Sequence, residues 1–435
     1  MIKKIVMNNG EHMEKVVIVG VRLEEVPINE FQDELEELKN LVSACNMECV
    51  DSVTQNLDRI NKATYVGSGK VEEIKTAITA FDAEGVVFND ELTPSQISNL
   101  ESILETTIYD RTFLILEIFK RRAKTKEAQL QVEIATLKYS LPRLAGLRKG
   151  LSRQRGAGGG FAHGRGAGET KLELDRRITD DKIHALEREL LELKGQRKEQ
   201  RVKRKKQNIK VVSLVGYTNS GKSSTLNSII KYCNKNASLK EVMEKDMLFA
   251  TLETSTRLVD LNGGSFLLTD TVGFVNKLPH DLVEAFKSTL EEVMESDLII
   301  HVVDTNNPLF EKQIKVTNDV LSQIGVKNIP VIYAFNKVDL MTDYVYIPNT
   351  YHEAIRISAK EGININLLIE MISKELYKDY KEFKESISYS DMKLFYDLKK
   401  NAVNFKCEYT EDGINVSCLL SQQNFNKYKK IRLSE

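Results

Sequence analysis

Short apolar runs alternate with amphipathic segments near the start of the chain. Residues 15–21 and 85–90 hold apolar runs of strand length, whereas residues 31–42 and 70–81 carry apolar side chains at the spacing of a helix. Strands that alternate with helices favour an α/β domain. The pattern therefore predicts a small α/β domain over residues 1–111.

Heptad-like stripes of apolar residues lie on both sides of a glycine-rich segment. The stripes step by three or four positions, at Leu130, Ile134, Leu137, Leu141, Ile183, Leu186, Leu190 and Leu193. Two antiparallel helices packed on each other explain both stripes most simply, and packing of each helix on a globular domain is the alternative. The pattern predicts a helical hairpin over residues 112–207.

The segment between the two stripes, Gly146–Gly168, holds nine of the 23 glycines, five Lys or Arg residues and no acid. So few apolar side chains cannot bury a core, and we expect a mobile loop. Residues 142–207 carry 19 Lys or Arg residues against nine Asp or Glu residues, a local net charge of +10. The whole chain has a net charge of −1, which excludes a uniformly basic coat for nucleic acid but allows this local patch.

Strand-like and helical runs alternate again in the second half of the chain. Apolar runs predict strands at residues 209–216, 265–270, 298–304, 330–336 and 353–357. Helices are expected from Lys222, near residues 281–292 and around residues 365–378. This rhythm is typical of a doubly wound α/β domain, to which we assign residues 208–380.

The last residues, 381–435, predict a small α+β appendage. Two strand-like runs flank the turn Glu411-Asp412-Gly413, which is typical of a hairpin. The predicted fold class is therefore α/β: a doubly wound domain preceded by a small α/β domain and a helical hairpin, and followed by the α+β appendage.

The cysteines and the apolar runs exclude several classes of protein. The five cysteines are scattered and form no Cys-x-x-Cys pair, so disulfide and zinc scaffolds are not expected. The longest apolar stretches are strand-sized, far below the ~20 residues of a membrane span. The start of the chain has too short an apolar run for a signal peptide. We expect a soluble, cytoplasmic protein with reduced thiols and no membrane span, and we expect a monomer.

The strongest chemical signal is a phosphate-binding loop that follows an apolar strand and opens a helix. Its residues match the pattern GxxxxGK[ST] and are Gly216, Tyr217, Thr218, Asn219, Ser220, Gly221, Lys222 and Ser223. The glycines let backbone N–H groups curl around phosphate oxygens, and the start of the helix adds a partial positive charge. Lys222 should contact the β- and γ-phosphates, and Ser223 should offer its hydroxyl to Mg²⁺. A chance match is the disfavoured alternative.

A second motif follows the predicted strand at residues 265–270. Its residues are Asp270, Thr271, Val272 and Gly273. An aspartate at the end of a strand beside the phosphate loop can hold the water shell of the magnesium ion, and the glycine amide can contact the γ-phosphate. The motif alone is often only a turn, but its place after a strand makes a nucleotide role the favoured interpretation.

Two further motifs predict the base that is bound. The first is Asn336, Lys337, Val338 and Asp339, after the strand at residues 330–336, and the second is Ser358, Ala359 and Lys360. A carboxylate at Asp339 can accept hydrogen bonds from both N1–H and N2–H₂ of guanine, a pair of donors that adenine lacks. The second motif would close on the base through its backbone. The four motifs in this order resemble those of translation-factor-type GTPases and predict a site for GTP and GDP, and we reject an ATPase.

The residue after Gly273 bears on catalysis. Ras-like enzymes place there the glutamine that orients the attacking water, whereas this chain has Phe274, which cannot align water by hydrogen bonding. One interpretation is that Phe274 packs under the switch, the segment that contains Asp270–Gly273. The other is that the free enzyme hydrolyses GTP slowly and a partner or a cation completes the site, and both interpretations can be true. Asn219 is a candidate ligand for K⁺, since GTPases that share GxxNxGKS often use a monovalent cation where others use an arginine. No catalytic side chain is assigned.

The chain resembles the HflX-type ribosome-associated GTPases from about residue 15 into the C-terminal appendage. The segments that carry the resemblance are Tyr65–Ile74, Phe88–Gln96, Asp110–Phe119, Ala128–Glu133, Leu141–Leu144 and Gly168–Arg177. The last segment, which follows the glycine-rich loop, is the most specific. Residues 67–70 mimic part of a phosphate loop but lack its first glycine, so we assign them no nucleotide.

The resemblance also implies the first switch. Phe249, Ala250, Thr251, Leu252 and Glu253 begin a segment similar to the family's FATLDPTTR, which implies that Thr251 is the second hydroxyl on Mg²⁺. The residues alone leave Thr251, Thr254, Ser255 and Thr256 open. Thr254 stands where the family has proline, and this departure removes no phosphate, metal or base contact.

The resemblance implies a GTPase that binds the large ribosomal subunit and its RNA, and some family members split stalled ribosomes under stress. The basic hairpin suits such a role because Lys and Arg side chains bind RNA phosphates. One alternative is a module that occupies, silences or matures the subunit, with hydrolysis only resetting it. Another is a nucleotide-controlled hub for a protein partner, and a third leaves the hairpin as a solvated structural arm.

Overall fold

The structure is a computed structural model that describes residues 13–154, 165–206, 209–233, 255–261, 264–279, 282, 292–341 and 346–433. The chain divides into two compact units. The first unit holds Met1–Gly195 with two short segments, Met247–Phe249 and Asn276–Phe286, and the second unit holds the remainder.

The first unit is built on a four-stranded parallel sheet in the order β2-β1-β3-β4. The strands are β1 (Glu14–Leu23), β2 (Met47–Leu57), β3 (Gly85–Phe88) and β4 (Thr107–Asp110). Residues 16–19 of β1 are almost fully buried, as expected of a strand with a partner on each side and helices on both faces. The small α/β domain predicted at the start of the chain has the strands and helices expected of it.

Four helices accompany these strands: α1 (Ile28–Ala44), α2 (Ser68–Phe81), α3 (Pro94–Leu104) and α4 (Arg111–Arg122). The start of α3 shows how local sequence sets a helix boundary. Thr93 accepts a hydrogen bond from the backbone of Gln96, and the Gln96 side chain bonds back to the Thr93 backbone. Pro94 lies at the first helical position, where it needs no backbone donor.

The prediction of a loop over Gly146–Gly168 was partly wrong, because two long helices extend into this segment. They are α5 (Lys126–Gln154) and α6 (Arg165–Lys206). The loop predicted over Gly146–Gly168 is helical at both ends, and residues 155–164 lie outside the described residues. Only two of the nine residues at 146–154 are glycine, so the cost of ~1 kcal/mol per glycine is offset by good helix formers around them. Ion pairs link the two helices at Lys126–Glu189, Glu133–Lys182 and Lys138–Glu187.

The second unit contains a six-stranded sheet in the order β10-β9-β8-β5-β7-β6. The strands are β5 (Lys210–Val215), β6 (Ser255–Leu261), β7 (Gly264–Asp270), β8 (Leu298–Asp304), β9 (Val331–Asn336) and β10 (Ala354–Arg356). Only β6 runs antiparallel to its described neighbour. Because the other five strands are parallel, their carboxyl ends meet at one edge, where ligands of doubly wound sheets bind.

The described helices of this sheet are α7 (Lys222–Cys233), α8 (Phe310–Ile324) and α9 (Ile365–Leu376). The predicted helices from Lys222 and around residues 365–378 are confirmed. Most of the predicted helix near residues 281–292 lies outside the described residues. Apolar side chains of α7 and α9, among them Leu226 and Leu368, pack on one face of the sheet and fix the start of α7 at the strand ends.

The C-terminal appendage forms a three-stranded antiparallel sheet in the order β11-β13-β12 with two helices, and it belongs to the second unit. Its elements are β11 (Lys381–Ile387), α10 (Met392–Asn401), β12 (Val403–Thr410), β13 (Gly413–Leu420) and α11 (Gln422–Leu433). The predicted turn at residues 411–413 joins β12 and β13 and is confirmed. Val403 packs into the core of the six-stranded sheet, beside Gly264.

Candidate nucleotide-binding site

The loop between β5 and α7 has the backbone of a phosphate-binding loop. Gly216 and Gly221 have φ angles of +149° and +90°, a region that side chains rarely tolerate. A Cβ on Gly216 would collide with the carbonyl oxygen of Val302, and one on Gly221 would collide with the Asn336 amide nitrogen. Both glycines are therefore required by the shape of the loop.

Lys222 is buried and folds back over this loop. Its ammonium donates hydrogen bonds to the carbonyl oxygens of Gly216, at 3.2 Å, and Tyr217, at 2.8 Å. Burial lowers the pKa of Lys222 to about 8, and the nearby Asp270 carboxylate opposes that change. A lysine held in this way presents its charge beside the loop, where a phosphate would bind.

The strand end beside the loop supplies groups that fit a magnesium ion. Asp270 ends β7 and is fully buried, and the Ser223 hydroxyl donates to its Oδ2 at 2.7 Å. The next hydroxyl, that of Thr271, donates to the Leu214 carbonyl oxygen at 2.6 Å, which anchors the turn. Adjacent hydroxyl and carboxylate oxygens are the hard donors that Mg²⁺ prefers, so the residues present fit the ion.

The chain after Asp270 meets the phosphate loop through two backbone hydrogen bonds, which we call the latch. Thr218 N–H donates to the Phe274 carbonyl oxygen at 2.7 Å, and Phe274 N–H donates to the Gly216 carbonyl oxygen at 3.2 Å. A Cβ on Gly273 would lie 2.9 Å from the Lys222 ammonium, so this backbone lies directly beside the lysine of the loop. The Phe274 ring is buried, as the packing interpretation of this residue predicts.

Asn336 ties together the loops on either side of the predicted base site. It ends β9 and is 3% exposed. Its amide nitrogen donates to the Ser220 carbonyl oxygen at 2.9 Å, and its amide oxygen accepts from Ala359 N–H at 2.9 Å. The phosphate loop and the Ser358–Lys360 motif are thus joined through one side chain.

Asp339 is held in place while its carboxylate stays exposed. The Ser358 hydroxyl donates to Asp339 Oδ1 at 2.5 Å and leaves the second carboxylate oxygen available to accept from a base. Lys337 has a left-handed backbone, with φ of +67°, and pairs with Asp304 at 2.7 Å. Lys360 is exposed beside this motif.

The structure brings together the predicted phosphate, magnesium and base residues at one edge of the sheet. The five residues of the first switch, Phe249, Ala250, Thr251, Leu252 and Glu253, lie outside the described residues. Sequence reasoning missed the support of Asn336: the Thr305 hydroxyl donates to its carbonyl oxygen at 2.6 Å, and Asp304 holds Lys337. The position of Asp304 at the end of the apolar run 298–304 was the available signal.

A mostly parallel sheet with this loop, an aspartate at the end of the neighbouring strand β7 and an Asn-Lys-Val-Asp motif at the end of β9 defines a P-loop GTPase. The chain belongs to the HflX GTPase family, which confirms the resemblance stated from the sequence. Three family models match it: a GTP-binding GTPase N-terminal region over residues 32–120, a GTP-binding GTPase middle region over residues 122–204, and a 50S ribosome-binding GTPase over residues 211–337.

Bacterial relatives match nearly the whole chain. A GTPase HflX of Caldanaerobacter subterraneus is 44% identical, over 93% of this chain and 90% of the relative. A GTPase HflX of Lacrimispora saccharolytica is 42% identical, over 95% of each chain. A solved GTP-binding protein of Sulfolobus solfataricus in complex with GDP is 23% identical, with 84% of this chain and 99% of that chain covered and a TM-score of 0.43.

The structure bears on two further predictions, which concern membrane spans and the state of the cysteines. No helix among the described residues is long and apolar enough to cross a membrane. All five cysteines are free thiols, and burial raises the pKa of Cys45 to about 12 and that of Cys418 to about 11. Thiols with raised pKa values are poor nucleophiles, so we give them no role in the site.

Proposed function

We propose that this GTPase associates with the large ribosomal subunit in a nucleotide-dependent way and splits or rescues ribosomes under stress. The observation that carries the proposal is the match of residues 211–337 to a 50S ribosome-binding GTPase model. As part of the same proposal, the protein acts in the cytoplasm and as a monomer. A module that silences or matures the subunit, with hydrolysis only resetting it, is the alternative.

The distribution of charge supports RNA as the partner. Residues 142–172 hold seven Lys or Arg residues and one acid, and residues 194–207 hold eight and one. Between them, residues 173–193 hold four Lys or Arg residues against seven acids. Lys182 of this middle part is paired with Glu133 of α5. The excess positive charge is therefore concentrated at two ends of the helical segment, where it can bind RNA phosphates.

Within the nucleotide site we assign roles residue by residue. Lys222 contacts the β- and γ-phosphates, Ser223 and Thr251 bind Mg²⁺ through their hydroxyls, and Asp270 orients the water shell of the ion. Asp339 accepts from guanine. Bound Mg²⁺ would neutralise charge that develops on the phosphates during hydrolysis.

Hydrolysis then needs help that Phe274 cannot give. Asn219 has a left-handed backbone, with φ of +60°, and its side chain is exposed beside the loop. Its amide oxygen is a suitable ligand for K⁺, so we propose that potassium stimulates hydrolysis more than sodium at equal ionic strength. Equal rates in the two salts would refute this part of the proposal.

Cosedimentation with isolated ribosomal subunits, in the presence of a GTP analogue, GDP or no nucleotide, tests the proposal. We expect binding to the large subunit that is tightest with the GTP analogue. Sucrose-gradient sedimentation of whole ribosomes separates splitting, which releases both subunits, from silencing, which does not. A complex that survives RNase treatment would favour the protein hub instead.

A charge-neutralised variant localises the RNA-binding surface. Replacing Arg148, Lys149, Arg153, Arg155 and Arg165 by alanine should flatten the salt dependence of binding, because every RNA phosphate that is no longer neutralised lowers the log–log slope by ~0.7–0.9. The matched control replaces five exposed lysines of the second unit, Lys315, Lys327, Lys374, Lys399 and Lys400. Wild-type affinity and slope in the first variant would show that these residues do not bind RNA.

A further inference from the structure

Thr218 is the residue of the phosphate loop that faces the latch. Its N–H donates to the Phe274 carbonyl oxygen, and a Cβ on Gly273 would lie 2.9 Å from both its Cα and its Cγ2. The same Cβ would lie 2.9 Å from the Lys222 ammonium. The Thr218 methyl group, the Gly273 backbone and the lysine therefore converge on one point, beside the position that a terminal phosphate takes in a P-loop protein. The Thr218 hydroxyl is attached to the same Cβ as that methyl group.

The Thr218 hydroxyl is buried and has no hydrogen-bond partner among the residues that the structure describes. Two nearby threonine hydroxyls are paired: Thr225 donates to the Gly221 carbonyl oxygen at 2.8 Å, and Thr271 donates to the Leu214 carbonyl oxygen. Leaving a hydroxyl buried and unpaired costs stability, and a valine of the same shape would avoid that cost. A polar atom in this place therefore points to a ligand.

The chemistry of the ligand follows from the neighbours. Thr218 and Lys222 belong to the same loop, and a hydroxyl of that loop can donate to an anion that the buried ammonium also binds. Phe274 contributes backbone hydrogen bonds to this corner, and its ring carries no group that could donate to a phosphate. A phosphate oxygen next to the Lys222 ammonium would satisfy the Thr218 hydroxyl.

We propose that Thr218 is a contact to the γ-phosphate and determines the preference of the site for GTP over GDP. The proposal rests on the guanine-nucleotide site described above and adds the group that recognises the third phosphate. GDP has no phosphate at this position, so it leaves the hydroxyl unpaired. The terminal phosphate of GTP would lie beside Lys222, where the Thr218 hydroxyl can donate to it, so the gain in affinity applies to GTP alone.

The test compares Thr218→Val, which keeps the shape and removes the hydroxyl, with Thr218→Ser, which keeps the hydroxyl. Equilibrium binding of a fluorescent GDP and a non-hydrolysable fluorescent GTP analogue gives the affinity ratio for each protein. Thr218→Val should lower affinity for the analogue by about tenfold or more, as expected when a hydrogen bond to a charged group is removed, with GDP affinity unchanged. Thr218→Ser should restore most of the ratio.

Two further measurements keep the outcome clear. Thr218→Val should melt at an equal or higher temperature without nucleotide, because it removes an unpaired buried hydroxyl. Ser220→Ala removes the other buried unpaired hydroxyl of the loop, which lies on the Gly216 side, and should change both affinities by the same factor.

An unchanged ratio of the two affinities in Thr218→Val would overturn the inference. Wild-type protein that binds neither nucleotide would instead refute the guanine-nucleotide site itself. The two failures are therefore distinguishable in one set of titrations.

Discussion

The two units each contain a Gly-x-Gly-Lys or Gly-Lys sequence at the start of a helix in a parallel α/β sheet, yet only one has the geometry of a phosphate loop. In the first unit, residues 67–70 open α2, and in the second unit, residues 216–223 open α7. Gly67 has an ordinary extended backbone, with φ of −68°. Gly216 and Gly221 have positive φ angles, which let successive N–H groups turn towards one point.

The lysines of the two sequences, Lys70 and Lys222, also differ in their contacts. Lys70 pairs with Glu73 one helical turn away, so its charge is already neutralised within α2. The Lys222 ammonium is buried on the carbonyl oxygens of its own loop. A glycine–lysine pair at the start of a helix therefore forms a phosphate site only under two conditions. The backbone must bend around the ligand, and the lysine must not already be paired with an acidic side chain as Lys70 is.

Replacing each lysine by alanine gives the largest contrast. Lys222→Ala removes charged contacts to two phosphates, at about 1.5–3 kcal/mol each, so nucleotide affinity should fall by about 10²–10⁴-fold. Lys70→Ala should leave it unchanged, which isothermal titration with GDP measures in both variants. A comparable loss in Lys70→Ala would mean that the first unit also binds nucleotide.

The next comparison is between two aspartates near strand ends, Asp339 after β9 and Asp110 at the end of β4. Asp339→Asn removes the acceptor for guanine donors, which should cost about 3 kcal/mol with GTP and bring xanthosine triphosphate to parity or better. Competition binding with the two nucleotides measures this. Unchanged GTP preference would refute the base assignment.

Asp110 is the matched control in the first unit. It is fully buried, accepts from the Tyr139 hydroxyl at 2.7 Å and pairs with Arg143 at 3.0 Å. Asp110→Asn should cost about 3–5 kcal/mol of unfolding free energy, because it breaks a buried pair, while base preference stays the same. A change of base preference in Asp110→Asn would contradict the assignment of base recognition to Asp339 and of a structural role to Asp110.

The glycines should respond in opposite directions. Gly221→Ala forces a side chain into a left-handed backbone and against the Asn336 amide, so stability and nucleotide affinity should fall by at least about 2 kcal/mol. Gly69→Ala meets no atom within 4 Å and lies inside α2, so it should stabilise the protein by about 0.5–1 kcal/mol. Thermal melts of the two variants give the signs, and equal signs would contradict the backbone argument.

Acid is expected to destabilise the second unit through one buried histidine. Burial, and then the nearby Lys222 charge, lowers the pKa of His301 in β8 to about 3, whereas an unfolded histidine titrates near ~6.5. Between those values only the unfolded state binds the proton, so stability falls as pH falls, by about 1.4 kcal/mol at pH ~5.5. Residues 16–19 of β1 hold no such group.

Urea unfolding at two pH values checks the acid prediction. The loss between pH ~7.5 and ~5.5 should be smaller in His301→Leu than in the wild type by about that amount. An identical loss in the two proteins would show that His301 is not kept neutral by the fold.

The sequence predicted most of the strands and the order of the nucleotide motifs, because each depends on residues adjacent in the chain. It could not predict that Asn336 joins two loops, since Ser220 and Ala359 are brought to it only by the sheet. The helical ends of Gly146–Gly168 were missed because glycine content was weighed above the helix formers around it. The latch was missed because backbone hydrogen bonds leave no trace in residue identity.

The latch also gives a way to follow the GTPase cycle by fluorescence. The chain contains no tryptophan, so a Phe274→Trp variant would carry the only indole, placed where the ring is 2% exposed. Opening of the two backbone hydrogen bonds would move that indole towards water and shift its emission to longer wavelength. Stopped-flow fluorescence could then time the switch itself, independently of phosphate release.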